Sequence, residues 1–232
     1  MITVRKSEAR GHAKIDWLDA RYTFSFADYH DPAHVHFGAL RVMNEDVIGP
    51  GGGFAPHPHR DMEIVTYIIS GALAHKDSLG NGSVIRPGEI QRMSAGTGIV
   101  HSEYNPSPSE PTHSLQIWIL PGARGIAPSY EQKTIAPESV ANRFGRIAAP
   151  DPGDNEVRLV QDAEIWSARL DAGAEASHAL KPGRRAWLQI VRGEIDLAGM
   201  VLKQGDGAAV TDETALRLSA REPAELLLFD LA

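Results

Sequence analysis

His57-Pro58-His59 and, further along the chain, His101-Ser102-Glu103 carry the side chains best suited to chemistry. Each motif offers two potential metal ligands at i and i+2. On a β-strand those positions share a face. Two such strands facing each other would converge three imidazoles and one carboxylate on one point. That donor set suits a divalent transition metal such as iron, manganese, nickel or zinc. A lone H-x-H is weak evidence, because two surface histidines produce it equally well. An H-x-H followed by an H-x-E at barrel-strand spacing is far more specific. Read alternately from His57, one face carries His57, His59, Asp61 and Glu63. A regular strand would therefore add Glu63, and the residues alone leave five candidates: His57, His59, Glu63, His101 and Glu103.

The elements that must position these residues are short. Apolar runs at 64–69, 115–120, 186–191 and 226–231 are rich in Ile, Val, Leu, Trp and Tyr. They are too brief for typical helices and are separated by Gly and Pro, which points to an all-β sandwich or barrel. Pro58 limits backbone hydrogen bonding beside the histidines, so that strand reads as an edge or rim. Residues 49–53 (GPGGG) read as a flexible entry loop, and Pro87-Gly88 as a turn. Gly96 and Gly98 would allow a bulge that aims His101 inward. Residues 137–144 read as a short helix with proline early, 105–111 and 145–155 as loops. A domain boundary falls between about Gly122 and Gly145.

Composition narrows the function classes. The chain has 232 residues, 42% of them hydrophobic and 23% charged, as in an ordinary globular protein. The net charge of -7, without a block of Lys or Arg, argues against direct nucleic-acid binding and against an anionic membrane surface. There are no cysteines, which excludes disulfides, thiolate metal sites and Cys nucleophiles. No stretch is long and apolar enough to span a membrane, and the first residues lack an apolar signal core, so the chain reads as cytoplasmic.

The chain also repeats itself. Residues 67–73 (YIISGAL) match 189–195 (QIVRGEI) in pattern, 86–93 resemble 203–210, and 115–120 resemble 226–231, in the same order. Tandem duplication follows, with domains expected at 1–130 and 131–232. Sliding the motifs along the repeat sets Ala179 opposite His57, Lys181 opposite His59, Arg185 opposite Glu63, Leu218 opposite His101 and Ala220 opposite Glu103. The second half has then lost every ligand. His178 lies one residue out of register, on the opposite face of its strand. His34 and His36 form another H-x-H but lack a partner motif. They, with His12, His30, His75, His113 and His178, read as surface or hydrogen-bonded residues, and Trp17, Trp118, Trp166 and Trp187 as packing residues.

The segments FAPHPHRDME, MSAGTGIVHSEYN and LQIWI, together with RGHA and WLDARYTFSFADYHDP near the start, resemble the pirin family of the cupin superfamily, its bacterial members in particular. The resemblance spans nearly the whole chain and is strongest over residues 10–120. It implies an all-β bicupin, two tandem β-barrel (jelly-roll) domains with few short helices and the metal in the first. It implies one divalent metal, iron(II) foremost with Mn, Ni, Cu, Co or Zn as alternatives, held by His57, His59, His101 and Glu103. Glu63 becomes a candidate to orient a ligand imidazole. The activity implied is that of a quercetin 2,3-dioxygenase, which opens a flavonol with dioxygen and releases carbon monoxide, with Glu103 as catalytic base. A metal-binding or redox-responsive regulator acting through a protein partner is the alternative, and another cupin activity a third. Elemental analysis is expected to give one tightly held divalent metal per chain; two would contradict the loss of ligands from the second half.

Overall fold

The computed structural model describes residues 1–232. The apolar runs are strands, and the most apolar of them have both faces covered. In the strand Glu63–Ser70, Ile64 and Ile68 pack inside the first half, while Val65, Tyr67 and Ile69 join a 23-residue core shared by both halves. In Ala224–Leu231, Leu226 and Leu228 pack inside the second half, and Leu227, Phe229 and Leu231 enter the shared core. A strand buried on two faces has no reason to alternate with polar residues.

Each half pairs a seven-stranded sheet with a four-stranded one. In the first half the large sheet runs Ser129–Thr134, Glu89–Ser94, Glu63–Ser70, Thr112–Ile119, Leu40–Ile48, Leu18–Tyr22, Gly11–Ile15. The small sheet runs Gly53–His59, Ile99–Tyr104, Leu73–Asp77, Gly82–Ile85. The second half repeats this plan. The two large sheets meet back to back through the shared core, and each small sheet covers the far side of its own half. The architecture is the all-β, two-unit arrangement expected from the repeat. Each unit is a pair of facing sheets and not a closed hydrogen-bonded ring.

Several sequence expectations are corrected. The helix is a single turn, Pro137–Val140, with proline at its start. Asn142 has φ of 53°, and a Cβ at Gly145 would collide with the Ser139 carbonyl, so the chain doubles back before Phe144. The expected loop 145–155 begins as a strand, Gly145–Ala149, because Ile147 and Ala148 are drawn into the shared core. The division at 130/131 falls inside Ser129–Thr134, which pairs wholly with Glu89–Ser94 of the first half. Conversely, Ile2–Arg5 pairs with Gly207–Val210 and completes the second half's large sheet.

The register assigned to the second half is also reversed. Ala176 and His178 are buried, whereas Ala179, Lys181 and Arg185 are exposed. Even residues face the second-half interior on both sides of the connection 180–184, whereas Asp61 at positive φ reverses the alternation in the first half, so the offset measured at the glycine turns does not carry to the preceding strand. His178 points inward, against the Trp166 and Phe144 rings, and its Nε2 lies 2.8 Å from the Asp230 carboxylate. Around it Leu216, Leu218 and Ala220 fill the interior, so no second ligand cluster forms.

Because one core serves both halves, urea unfolding is expected to be a single transition. Trp187, packed against Phe24 and Phe37 in that core, tests this: Trp187→Ala should cost about 3–5 kcal/mol while keeping one transition. Two separated transitions in the wild type would show that the halves unfold independently.

Candidate metal centre

The strand Gly53–His59 lies at the edge of its sheet, where Pro56 and Pro58 leave no ladder donor missing. Its partner Ile99–Tyr104 sets His101 opposite His57 and Ile99 opposite His59. The register then shifts, so that Glu103 stands opposite Phe54. The extra residue is on the proline-containing strand. The loop before His101 is pinned from two sides: Gly96 accepts the Asp61 N–H, and Thr97 donates to the Ile126 carbonyl. Gly96 itself has φ of 46°, and a Cβ there would strike that same carbonyl.

The turn at 60–62 decides the place of Glu63. Asp61 sits at φ of 47°, which breaks the strand and reverses its alternation. Glu63 thereby shares a face with Val65 and Tyr67 and looks toward the second half. Its Oε2 accepts from Ser94 Oγ at 2.9 Å and from the Val160 N–H at 3.2 Å. Glu63 joins the two halves and does not orient a ligand imidazole.

The three histidines converge. His57 Nε2 and His101 Nε2 are 3.1 Å apart, and the ring centroids of His59 lie 4.8 Å from each of the other two. His57 Nδ1 donates to the Ala55 carbonyl at 2.8 Å, which leaves its Nε2 as a lone pair directed at the cluster. Burial, reinforced by His57, pushes His59 down to about 4. Burial and the His57 and His59 rings push His101 down to about 3. Both are therefore neutral near pH 7. Two imidazole nitrogens this close need a shared proton or a cation between them. Two nitrogens bound at about 2.1 Å and a right angle on one ion would stand about 3 Å apart, so the spacing fits a metal.

Glu103 is 2% exposed and lies in the same pocket. Its Oε2 accepts from Gln116 Nε2 at 2.7 Å and its Oε1 from Thr66 Oγ1 at 3.4 Å. Burial raises its pKa to about 7 despite those donors. Behind His101, with centroids 5.3 Å apart, lies His75, fully buried and 3.1 Å from Asp77 through Nε2. The side-chain ligand atoms of His75, His101 and Glu103 lie within 4.8 Å of one another. His34 and His36 are elsewhere, bonded to Asp31 and to the Gly38 carbonyl.

A pocket opens in front of the cluster. Leu18, Tyr22, Phe26, Phe54 and Trp118 form its apolar walls, and Asn44, Asp46 and Gln116 give it a polar flank. The Trp118 ring meets His59 edge-on at 5.0 Å. Of these residues, Trp118 reads from sequence as packing only, and Asn44, Asp46 and Gln116 carry no motif at all.

Comparison with known proteins agrees with this geometry. The pirin family model matches residues 3–119, and a quercetinase C-terminal cupin domain matches 146–231. The quercetin 2,3-dioxygenase of Escherichia coli (strain K12) is 46% identical over 231 residues, covering 100% of this chain and 99% of the relative. The chain belongs to the pirin family. The crystal structure of the bacterial pirin YhhW from Escherichia coli in complex with nickel(II) superimposes with a TM-score of 0.94 at 46% identity, over 100% of this chain and 99% of that one. A quercetin 2,3-dioxygenase structure from Acinetobacter baumannii shares the fold at 19% identity and a TM-score of 0.75, over 95% and 83% of the chains.

The depressed histidines give this pirin a pH signature in its metal-free form. His59 and His101 have folded values below the ordinary 6.5, so their contribution to stability is present above about 6.5 and is lost as pH falls toward about 4. His101→Gln removes part of that loss. In urea titrations the wild type's stability relative to His101→Gln should fall between about pH 7 and pH 4.5. A difference that does not vary with pH would contradict the buried neutral state.

Proposed function

We propose that this pirin is a metal-dependent dioxygenase that opens a flavonol such as quercetin, incorporating dioxygen and releasing one ring carbon as carbon monoxide. The observation that carries the reading is the cluster of three imidazoles and Glu103 at the base of an aromatic-walled pocket. Support comes from the end-to-end match to a relative that bears that activity in its name. His57, His59, His101 and Glu103 would hold the metal, iron(II) foremost, and the nickel(II) bound by YhhW is compatible with the same donors. The bound metal supplies Lewis acidity, which lowers the pKa of the flavonol's 3-hydroxyl.

This chain's residues supply the rest. Glu103 Oε1 receives the hydroxyl proton, since it carries only the long contact from Thr66 while Gln116 fixes Oε2. Gln116 and Thr66 hold the carboxylate's orientation through that transfer. Trp118, Phe26 and Phe54 clamp a planar ring system and exclude water, which protects a reactive carbanion-like substrate from simple protonation.

Loading the protein anaerobically with each divalent metal and then adding quercetin and oxygen tests the reading. Loss of flavonol absorbance with carbon monoxide release is expected for at least one metal. If no metal turns over faster than free metal in buffer, the proposal fails. Glu103→Gln should weaken metal retention and slow turnover by about 100-fold or more; an unchanged rate would exclude it as the base.

A further inference from the structure

The pocket contains two polar side chains that the protein itself leaves without partners. Asn44 and Asp46 alternate on the inner face of Leu40–Ile48 and are 3% and 5% exposed. Asn44 Oδ1 is buried without a hydrogen bond. No side chain or backbone group donates to Asp46, and its nearest charged influences are the carboxylates of Glu103 and Glu45. Both line the cavity. Their strand neighbours do not satisfy them: Asn44 is flanked by Tyr22 and Gln116, Asp46 by Ala20 and Ser114. Gln116 is already engaged with Glu103.

An apolar pair at these positions would pack more favourably in a barrel interior, because buried polar groups without partners destabilise the fold. In the second half the interior is filled with leucine and alanine. Two unpartnered polar groups side by side, both facing one cavity, are therefore what a site for a hydrogen-bonding ligand looks like before the ligand arrives.

We propose that Asn44 and Asp46 form a specificity subsite that binds a phenolic hydroxyl of the substrate remote from the hydroxyl facing the metal. Asp46 accepts the O–H hydrogen bond, and Asn44 donates to the same oxygen or accepts from a neighbouring hydroxyl. The inference rests on the flavonol reading and narrows it: the substrate class is polyhydroxylated, and an aromatic with the chelating hydroxyl alone is disfavoured. Discrimination arises because the deoxy analogue leaves both buried groups unpaired in the complex.

Binding to the zinc-loaded protein separates this from the proposed activity, since zinc has no redox chemistry and allows binding without turnover. The probes are quercetin and 3-hydroxyflavone, which lacks every remote hydroxyl. The wild type is expected to prefer quercetin by about 30-fold, the range of a hydrogen bond to a charged group. Asp46→Ala should reduce that preference to about threefold or less, with the loss falling on quercetin and not on 3-hydroxyflavone. Asp46→Asn should restore part of it. Zinc content and melting temperature serve as controls, and removing an unpartnered buried carboxylate should raise the latter. If Asp46→Ala does not fold, Asn44→Ala reads the same ratio. An undiminished preference for quercetin in these variants would overturn the subsite. An intact wild-type ratio that collapses in Asp46→Ala, with no turnover under any metal, would support the subsite and overturn the dioxygenase reading alone.

Discussion

The two large sheets pack against each other on one side and against their own small sheets on the other, so their central strands Glu63–Ser70 and Ala224–Leu231 have no face left for water. Side-chain alternation along their strands thereby becomes a choice between two interiors. In Glu63–Ser70 the even residues enter the first half, where Thr66 reaches Glu103, and the odd ones enter the junction. There Tyr67 donates to Glu225, and Arg192 donates to the Ile69 carbonyl. Glu63 bonds Ser94 and the Val160 N–H at the same junction. The strand that supports the base of the pocket is thus also the strand that fixes one half to the other. The pocket inherits the rigidity of the whole molecule, as a site that must hold several groups in register requires.

The two halves show what such a site costs. They share a strand plan, yet the second fills its interior with Leu188, Leu216, Leu218 and Leu228. The first gives comparable volume to three imidazoles, Glu103, Gln116, Asn44 and Asp46. Burial holds His59 and His101 neutral and makes Glu103 and Asp46 hard to ionise. Such groups oppose folding until something binds them. The second half carries the opposite burden, a well-packed core in which its one histidine, His178, is satisfied by Asp230. Duplication has let one copy supply packing while the other supplies chemistry.

How much of this was legible depended on how local each signal was. The convergence of His57, His59 and His101 on one pocket with Glu103 was readable because a spacing of two survives in any strand, and Pro58 marked the edge correctly. Glu63 was misplaced because the break at Asp61 is a positive φ on a residue other than glycine, which no spacing reveals. His178 was assigned to the wrong face because the break at Asp61 reverses the alternation in the first half, whereas in the second half even residues face the interior on both sides of 180–184. Asn44 and Asp46 were invisible for a different reason. In a strand covered on both faces a polar residue has no alternation to mark its side, and only the assembled cavity shows what it faces.

The strand Ile2–Arg5 has a consequence for the order in which this chain is made. It leaves the ribosome before the first half, and its partner Gly207–Val210 only after most of the second. The leading segment must therefore stay unpaired while the first half gathers around His57 and His101. The second half is equally unable to finish from its own contiguous sequence, since without Ile2–Arg5 the edge at Gly207–Val210 stays open to any other strand. Closing that edge with residues that precede the first half means the sheet is completed only after synthesis has passed Val210. A chain cut short before Gly207 then lacks the means to look finished.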